Sequence, residues 1–195
     1  SVLYCGGSGC PLINANKTGA RASEKASSQR AFVVLASCPG MNLWLVPANE
    51  RAFQQTLAEP VDLSGWQGRP DSFPEQARVW GVRTDPEQGS WERNRRNLKR
   101  MERGDPLLVY RNGVGRYVAA ARVGTMTHTE FVRDTYWDGG PALDVYAVEE
   151  WDDSVDVAAE EVNELLGYKR SFRPQGLWRV SDDRPVDRVI DRFDL

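Results

Sequence analysis

At 195 residues, with a formal net charge of -3 and 41% hydrophobic against 27% charged residues, the chain suits one domain, or one domain with an extension, and is long enough to bury a core. The acidic balance excludes a protein that coats nucleic acid indiscriminately, because such coating needs a broad cationic surface that releases counterions. No apolar run approaches the roughly 18 residues a membrane span needs, and a cytoplasmic protein is expected.

Residues 1–40 differ in texture from the rest and are read as an N-terminal extension of unknown role, with the main domain over 41–195. The extension opens without a basic flank and apolar core, so it does not read as a secretory signal. Its Cys-Gly-Gly-Ser-Gly-Cys-Pro stretch precedes a small, polar segment (14–30) and an apolar run (31–37) that periodicity assigns neither to strand nor to helix. Cys5, Cys10 and Cys38 are an odd number, and the single histidine, His128, lies far away. A disulfide framework or a four-ligand zinc site is therefore disfavoured, and reduced, incidental thiols are expected.

From Met41 the pattern becomes regular. Residues 42–46 predict a strand; Pro47-Ala48-Asn49 ends it and offers Asn49 as the N-cap of a short helix through Leu57. Gly65, Gly68, Pro70 and Pro74 mark a loop that holds Trp66 and Phe73. A strand is expected over 78–83 and a break over 84–89. A helix follows over 91–101, with Ser90 as cap and Gly104-Asp105 as stop. Residues 107–110 and 116–123 read as strands joined by an Asn112-Gly113 turn. Another strand covers 143–149, a last helix 158–166 ends at Gly167, and a short strand covers 177–180. Five or more strands with few helices predict an α+β fold, a small, curled, mixed β-barrel flanked by helices.

Several chemistries are missing from the sequence. The Gly6-Gly7-Ser8-Gly9 segment lacks the Gly-Lys-Ser/Thr ending of a phosphate loop. No Gly-x-Ser-x-Gly elbow occurs, and His128 sits in a polar segment after a strand, where a solvated side chain is the simpler reading. Acidic residues crowd 144–164 with no Lys or Arg among them. Paired carboxylates there would suit magnesium and nuclease work, yet a solvated acidic edge that repels DNA and orients binding elsewhere is preferred. No metal and no cofactor is expected.

The positive evidence lies between Arg78 and Arg122. Residues 91–103 carry six basic and two acidic side chains. On a helix, Asn94, Leu98 and Met101 share one face, while Arg95, Arg96, Lys99 and Arg103 fall elsewhere. An inward amide needs partners, and one facing a pocket pairs with a base edge. Most of the seven tryptophans belong in a core. For Trp80 and Trp137 two readings stay open. Trp80 precedes Gly81, which removes a side chain where a ligand would approach the backbone. Trp137 sits in Asp-Thr-Tyr-Trp-Asp-Gly-Gly-Pro, a turn-rich loop. Two aromatic planes reaching one cavity would sandwich an extruded base, each stack contributing about 1 to 3 kcal/mol.

The run Asn-Leu-Trp-Leu-Val-Pro-Ala-Asn-Glu-Arg-Ala-Phe (42–53), Val79-Trp80-Gly81, Asn94 followed by Met101 and Gly104-Asp105, and residues 107–110 together resemble the EVE and YTH-like group of the PUA superfamily. Asn-Glu-Leu-Leu-Gly-Tyr (163–168) and Phe-Arg-Pro-Gln-Gly (172–176) resemble the versions attached to modification-dependent restriction endonucleases. The resemblance covers about residues 41–195. It implies a curled β-barrel with an aromatic pocket that receives a methylated adenine or cytosine flipped from a helix, or a modified base in single-stranded RNA. It further implies Trp80 and Trp137 as pocket walls, Asn94 as a base-edge contact and Tyr110 as a further pocket group. One departure is Leu98, where the resemblance leads one to expect tryptophan.

Phosphate contacts are then expected from Arg95, Arg96, Lys99, Arg111 and Arg116, with Lys169, Arg170 and Arg173 as a second cluster. A methyl group adds only about 0.8 kcal/mol on burial, so discrimination calls for a tight aromatic pocket more than for a large basic surface. The leading expectation is a non-catalytic reader of a modified base in DNA, the specificity module of a restriction system that works with a nuclease subunit or domain. An RNA-binding module of the same fold, and a small nucleoside-acting enzyme or metal-dependent nuclease, are the alternatives.

Overall fold

A computed structural model describes residues 42–84 and 91–195. The expectations for the extension, its apolar run and its cysteines, and for Ser90 as a cap, lie outside the described residues. Among the described residues eight strands and five helices follow in the order β1 (Trp44–Ala48), α1 (Glu50–Thr56), β2 (Val61–Asp62), β3 (Gln76–Arg83), α2 (Trp91–Leu98), β4 (Pro106–Arg111), β5 (Arg116–His128), α3 (Phe131–Tyr136), β6 (Ala142–Asp152), β7 (Val157–Ala158), α4 (Ala159–Leu165), β8 (Trp178–Arg179) and α5 (Asp187–Phe193).

The strands form one mixed sheet in the order β2-β3-β6-β5-β4-β1-β8, with β7 paired to β5. β1 runs parallel to β4, and the other pairings are antiparallel. The fold is thus α+β, as the sequence predicts. Closure into a barrel is corrected: among the described residues no ladder joins the β2-β3 side to β8. Helices stand in the gap instead, since α1 packs on β3 and α2 touches both β3 and β8. Register shifts at 120–122 and 123–126 bend the long β5-β6 ribbon.

Central strands are buried on both faces, which is why they read as continuous apolar runs. Alternation along them separates the cores. Trp44, Val46, Leu107 and Val109 point to one cluster with Phe53, Leu57, Met101 and Tyr146. Leu45, Leu108 and Tyr110 point to another under α4 and α5. Leu63, Trp66, Phe73, Val79 and Val132 fill a third, beneath the 63–73 loop and α3.

Two devices set the frame of the site. Asn49 caps α1, its side chain accepting from the Ala52 amide at 2.9 Å, so the chain leaving β1 turns at once into a helix along β3. Asp105 is buried and accepts from Trp44 Nε1 at 2.8 Å, the Glu102 amide at 3.0 Å and Asn42 Nδ2 at 3.2 Å. It therefore ties the turn after α2 to the start of β1. Among the described residues no helix is long and apolar enough to cross a membrane.

Candidate nucleic-acid interface

The seam between β3 and the β1-β8 side holds a cleft of two chambers that share Asn49, Trp80, Gly81 and Arg83 in their walls. The first, of about 160 Å³, is bounded by the α1 face at Arg51, Ala52 and Gln55 and by the turn carrying Trp137 and Pro141. The second, of about 270 Å³, lies between the end of β1, Asn94 of α2, Asn112 and Gly176-Leu177.

Trp80 is half-buried and faces the same side of the sheet as its cross-strand partner Tyr146. Trp137 reaches it from the C-terminal end of α3, where its amide donates to the Arg133 carbonyl at 3.0 Å. α3 is itself anchored: Phe131 stacks on Trp66 with ring centroids 5.7 Å apart and planes 4° from parallel. The sandwich of facing planes is corrected. Trp80 and Trp137 meet edge to face, 6.3 Å apart at 72°, and form a corner of the first chamber. No base fits between rings already in contact; Trp80, half-buried, lines both chambers.

The space over Gly81 is also filled from within. A Cβ there would lie 2.5 Å from Trp137 Cζ3 and 2.9 Å from Ala142 Cβ. The missing side chain admits the protein's own indole on that side, while Gly81 still lines both chambers.

Asn94 is 3% exposed on the inward face of α2, as its spacing predicts. Its Nδ2 donates to the Arg83 carbonyl at 2.7 Å, and Asn97 Nδ2 donates to the Leu177 carbonyl at 2.7 Å. The two amides pin α2 between β3 and the segment entering β8. Asn94 Oδ1 is buried without a partner. Leu98 packs against the first core cluster and lines neither chamber.

Tyr110 is corrected to a core position. It is 5% exposed, packs on Tyr117 with centroids 5.3 Å apart, and lines neither chamber. β4 alternates, so with Val109 facing the first cluster Tyr110 must face the second.

The expected phosphate contacts divide. Arg95 and Arg96 sit exposed on the outer face of α2 and Lys99 just past its end, and Lys169 and Arg170 are exposed beyond α4. Three others are paired with carboxylates. Arg111 grips Glu50 with two guanidinium nitrogens and lies over the Phe53 ring. Arg116 binds Asp156 through both its carboxylate and its carbonyl. Arg173 pairs with Glu160 and donates to the carbonyls of Arg170 and Phe172. Side-chain hydrogen bonds from Arg111 hold the Glu50 carboxyl below its ordinary range; a backbone amide and then Arg173 do the same for Glu160.

The acidic edge carries ion pairs. Glu149, Glu150, Asp156, Glu160 and Glu161 pair with Arg103, Arg122, Arg116, Arg173 and Arg192. Among the described residues no three His, Cys, Asp or Glu side chains gather as a metal site. His128 is exposed at the end of β5, its Nδ1 2.9 Å from Asp144 Oδ1.

Arg51, Arg83 and Asn112 line the cleft without having been singled out from sequence. Arg83 ends an apolar strand, the one local signal it offers. Arg51 also pairs with Asp138 beside the first chamber.

No family model matches the chain, and no curated protein matches its sequence. Among solved structures it is similar to the N-terminal domain of Thermococcus gammatolerans McrB bound to m5C DNA, with a TM-score of 0.55 at 14% identity, over 78% of this chain and 97% of that one. At 14% identity the likeness to that domain is one of fold alone. A second similar structure is the ASCH protein from Zymomonas mobilis, with a TM-score of 0.41 at 12% identity, over 76% of this chain and 94% of that one. In this chain the seam that would close a barrel is where the cleft opens.

Proposed function

We propose that the chain is a non-catalytic reader of a modified base, a methylated cytosine or adenine, in DNA. An extruded base enters the cleft and stacks on Trp80, with Asn94 at its edge and Trp137 completing the aromatic corner. The observation that carries this reading is the two-chambered cleft around one half-buried indole, with a buried amide in its wall. Such a site suits one planar, partly polar group and has no need of a strongly basic surface. A fold neighbour bound to m5C DNA supports the same reading.

The base must leave its stack, at a cost of a few kcal/mol. Stacking on Trp80 returns about 1 to 3 kcal/mol, and phosphate contacts from Arg95, Arg96, Lys99, Lys169 and Arg170 supply the rest without reading sequence. The reader then acts as the specificity module of a restriction system, with cleavage performed by a nuclease subunit or domain.

Fluorescence anisotropy against duplexes that differ in one cytosine or adenine modification, with matched RNA as competitor, tests the proposal. Tighter binding to a modified duplex than to its plain counterpart is expected. Equal binding across all marks overturns it, and RNA that outcompetes DNA moves the site to an RNA reader, because the 2′-hydroxyl is the difference on offer.

A further inference from the structure

Two chamber-lining residues carry a buried polar atom without a partner, Asn94 Oδ1 and Trp137 Nε1. The amide is the more telling, because its orientation is fixed from outside. Nδ2 points at the Arg83 carbonyl, 2.7 Å away. Turning the amide over would set Oδ1 against that carbonyl oxygen, two acceptors in contact with no proton between them. The atom left uncommitted is therefore an acceptor. It lies between two walls of the second chamber, the Arg83 backbone and Gly176, where a Cβ would come within 2.7 Å of it. Gly176 takes a φ of +66°, a conformation that favours glycine, and any side chain there would collide with the oxygen.

From this geometry, and resting on the reading of the cleft as a base site, we infer that the base it accepts carries an exocyclic amino group. A buried acceptor selects a donor, since meeting another acceptor leaves both unpaired away from water. Cytosine at position 4 and adenine at position 6 present amino donors where thymine and guanine present carbonyl oxygens; guanine's own amino group sits at position 2, on the other side of its ring N–H. The ring N–H of thymine or uracil is a donor too, but it is recessed between two carbonyl oxygens. An amino group projects from the ring by a full bond and so reaches an oxygen that is itself recessed. For a reader of methylated cytosine this settles a chemical problem. Thymine carries the same 5-methyl group and differs at position 4, so apolar contacts with the methyl cannot reject it. Asn94 Oδ1 can.

The test compares each amino-bearing base with its deaminated counterpart in otherwise identical duplexes: 5-methylcytosine with thymine, cytosine with uracil, and adenine with hypoxanthine. Each is placed opposite an abasic site, so that neither member of a pair has a base partner to lose. A duplex abasic on both strands at that position sets the background. The full chain should bind the amino member at least about tenfold tighter in every pair that exceeds background. Asn94→Ala, checked for a cooperative thermal transition, should bring the ratio to about one. The wild-type ratio decides the matter even if the variant does not fold. Equal binding within pairs, or a preference for the deaminated member, overturns this inference while leaving the base-reading cleft in place. Binding of every test duplex at background overturns both.

Discussion

Trp137 lies over Gly81 so closely that a Cβ at position 81 would stand 2.5 Å from its Cζ3. A strand position and a helix C-terminus thereby fix each other, and with them the corner that Trp137 makes against Trp80. Gly81→Ala should push the indole aside, costing about 1 to 3 kcal/mol in overpacking. Trp137→Ala removes the clash, so the double variant should be more stable than the two single losses sum to. Urea denaturation of the four proteins checks this; simple additivity would mean that the two residues do not meet.

Asp105 serves structure, although it sits in the Gly-Asp-Pro segment that attracts attention in the sequence. Replacing it with alanine leaves the buried Trp44 Nε1 without its acceptor and frees the Glu102 amide. The expected loss is about 2 to 4 kcal/mol. Chemical denaturation reads it directly, and a loss below half a kcal/mol would contradict the account.

Tyr146 is buried, its hydroxyl has no partner, and burial pushes its ionisation upward. Tyr146→Phe removes an unsatisfied polar group, so stability should be unchanged or rise by up to about 1 kcal/mol. Because the folded-state pKa of Tyr146 is raised, its contribution is complete below the ordinary value of 10.0 and is lost at higher pH. The wild type should therefore lose stability above that value more steeply than Tyr146→Phe in a pH series of melts.

The acid side runs with the opposite sign. Glu50 and Glu160 are held below their ordinary 4.5 by Arg111, and by a backbone amide with Arg173. Their contribution is present above 4.5 and fades as pH falls through the depressed folded values. Arg111→Gln should flatten the acid limb of the stability curve; an unchanged limb would remove the Glu50 pair from the explanation.

Cations separate by their partners. If Arg96 and Lys99 hold phosphates, replacing either with alanine should lower the slope of log affinity against log salt by about 0.9, the share of one phosphate contact on duplex DNA. Arg116→Ala should leave the slope alone, because Asp156 already occupies that guanidinium. Equal effects of all three would contradict the division.

The fold was legible where local chemistry and packing agree. Asn49 caps α1 as its position suggests, Gly167 takes the positive φ of a helix stop just past α4, and the apolar runs of β1, β4 and β5 are largely buried strands; α2 ends at Leu98, short of the expected stop at Gly104. α3 was missed because its six residues sit between strand and turn signals, with Phe131 and Val132 as its apolar anchors. α5 was missed for similar reasons. At the site, Trp80 and Asn94 stood out because a strand and a helix face each have a period. Tyr110 misled, because alternation sends it to the opposite core from its neighbour Val109. Arg83, Asn112 and Gly176 reach the cleft through tertiary packing, which no sequence interval encodes. The engagement of Arg111, Arg116 and Arg173 depends on carboxylates at least 13 residues away.

The most direct measurement is the affinity of wild type and Trp80→Ala for two duplexes that differ by a single base methyl group, with thermal melts confirming that the variant folds. The account predicts that wild type prefers the methylated duplex, and that Trp80→Ala binds both equally through its remaining phosphate contacts. A folded Trp80→Ala protein that keeps the full preference would contradict it.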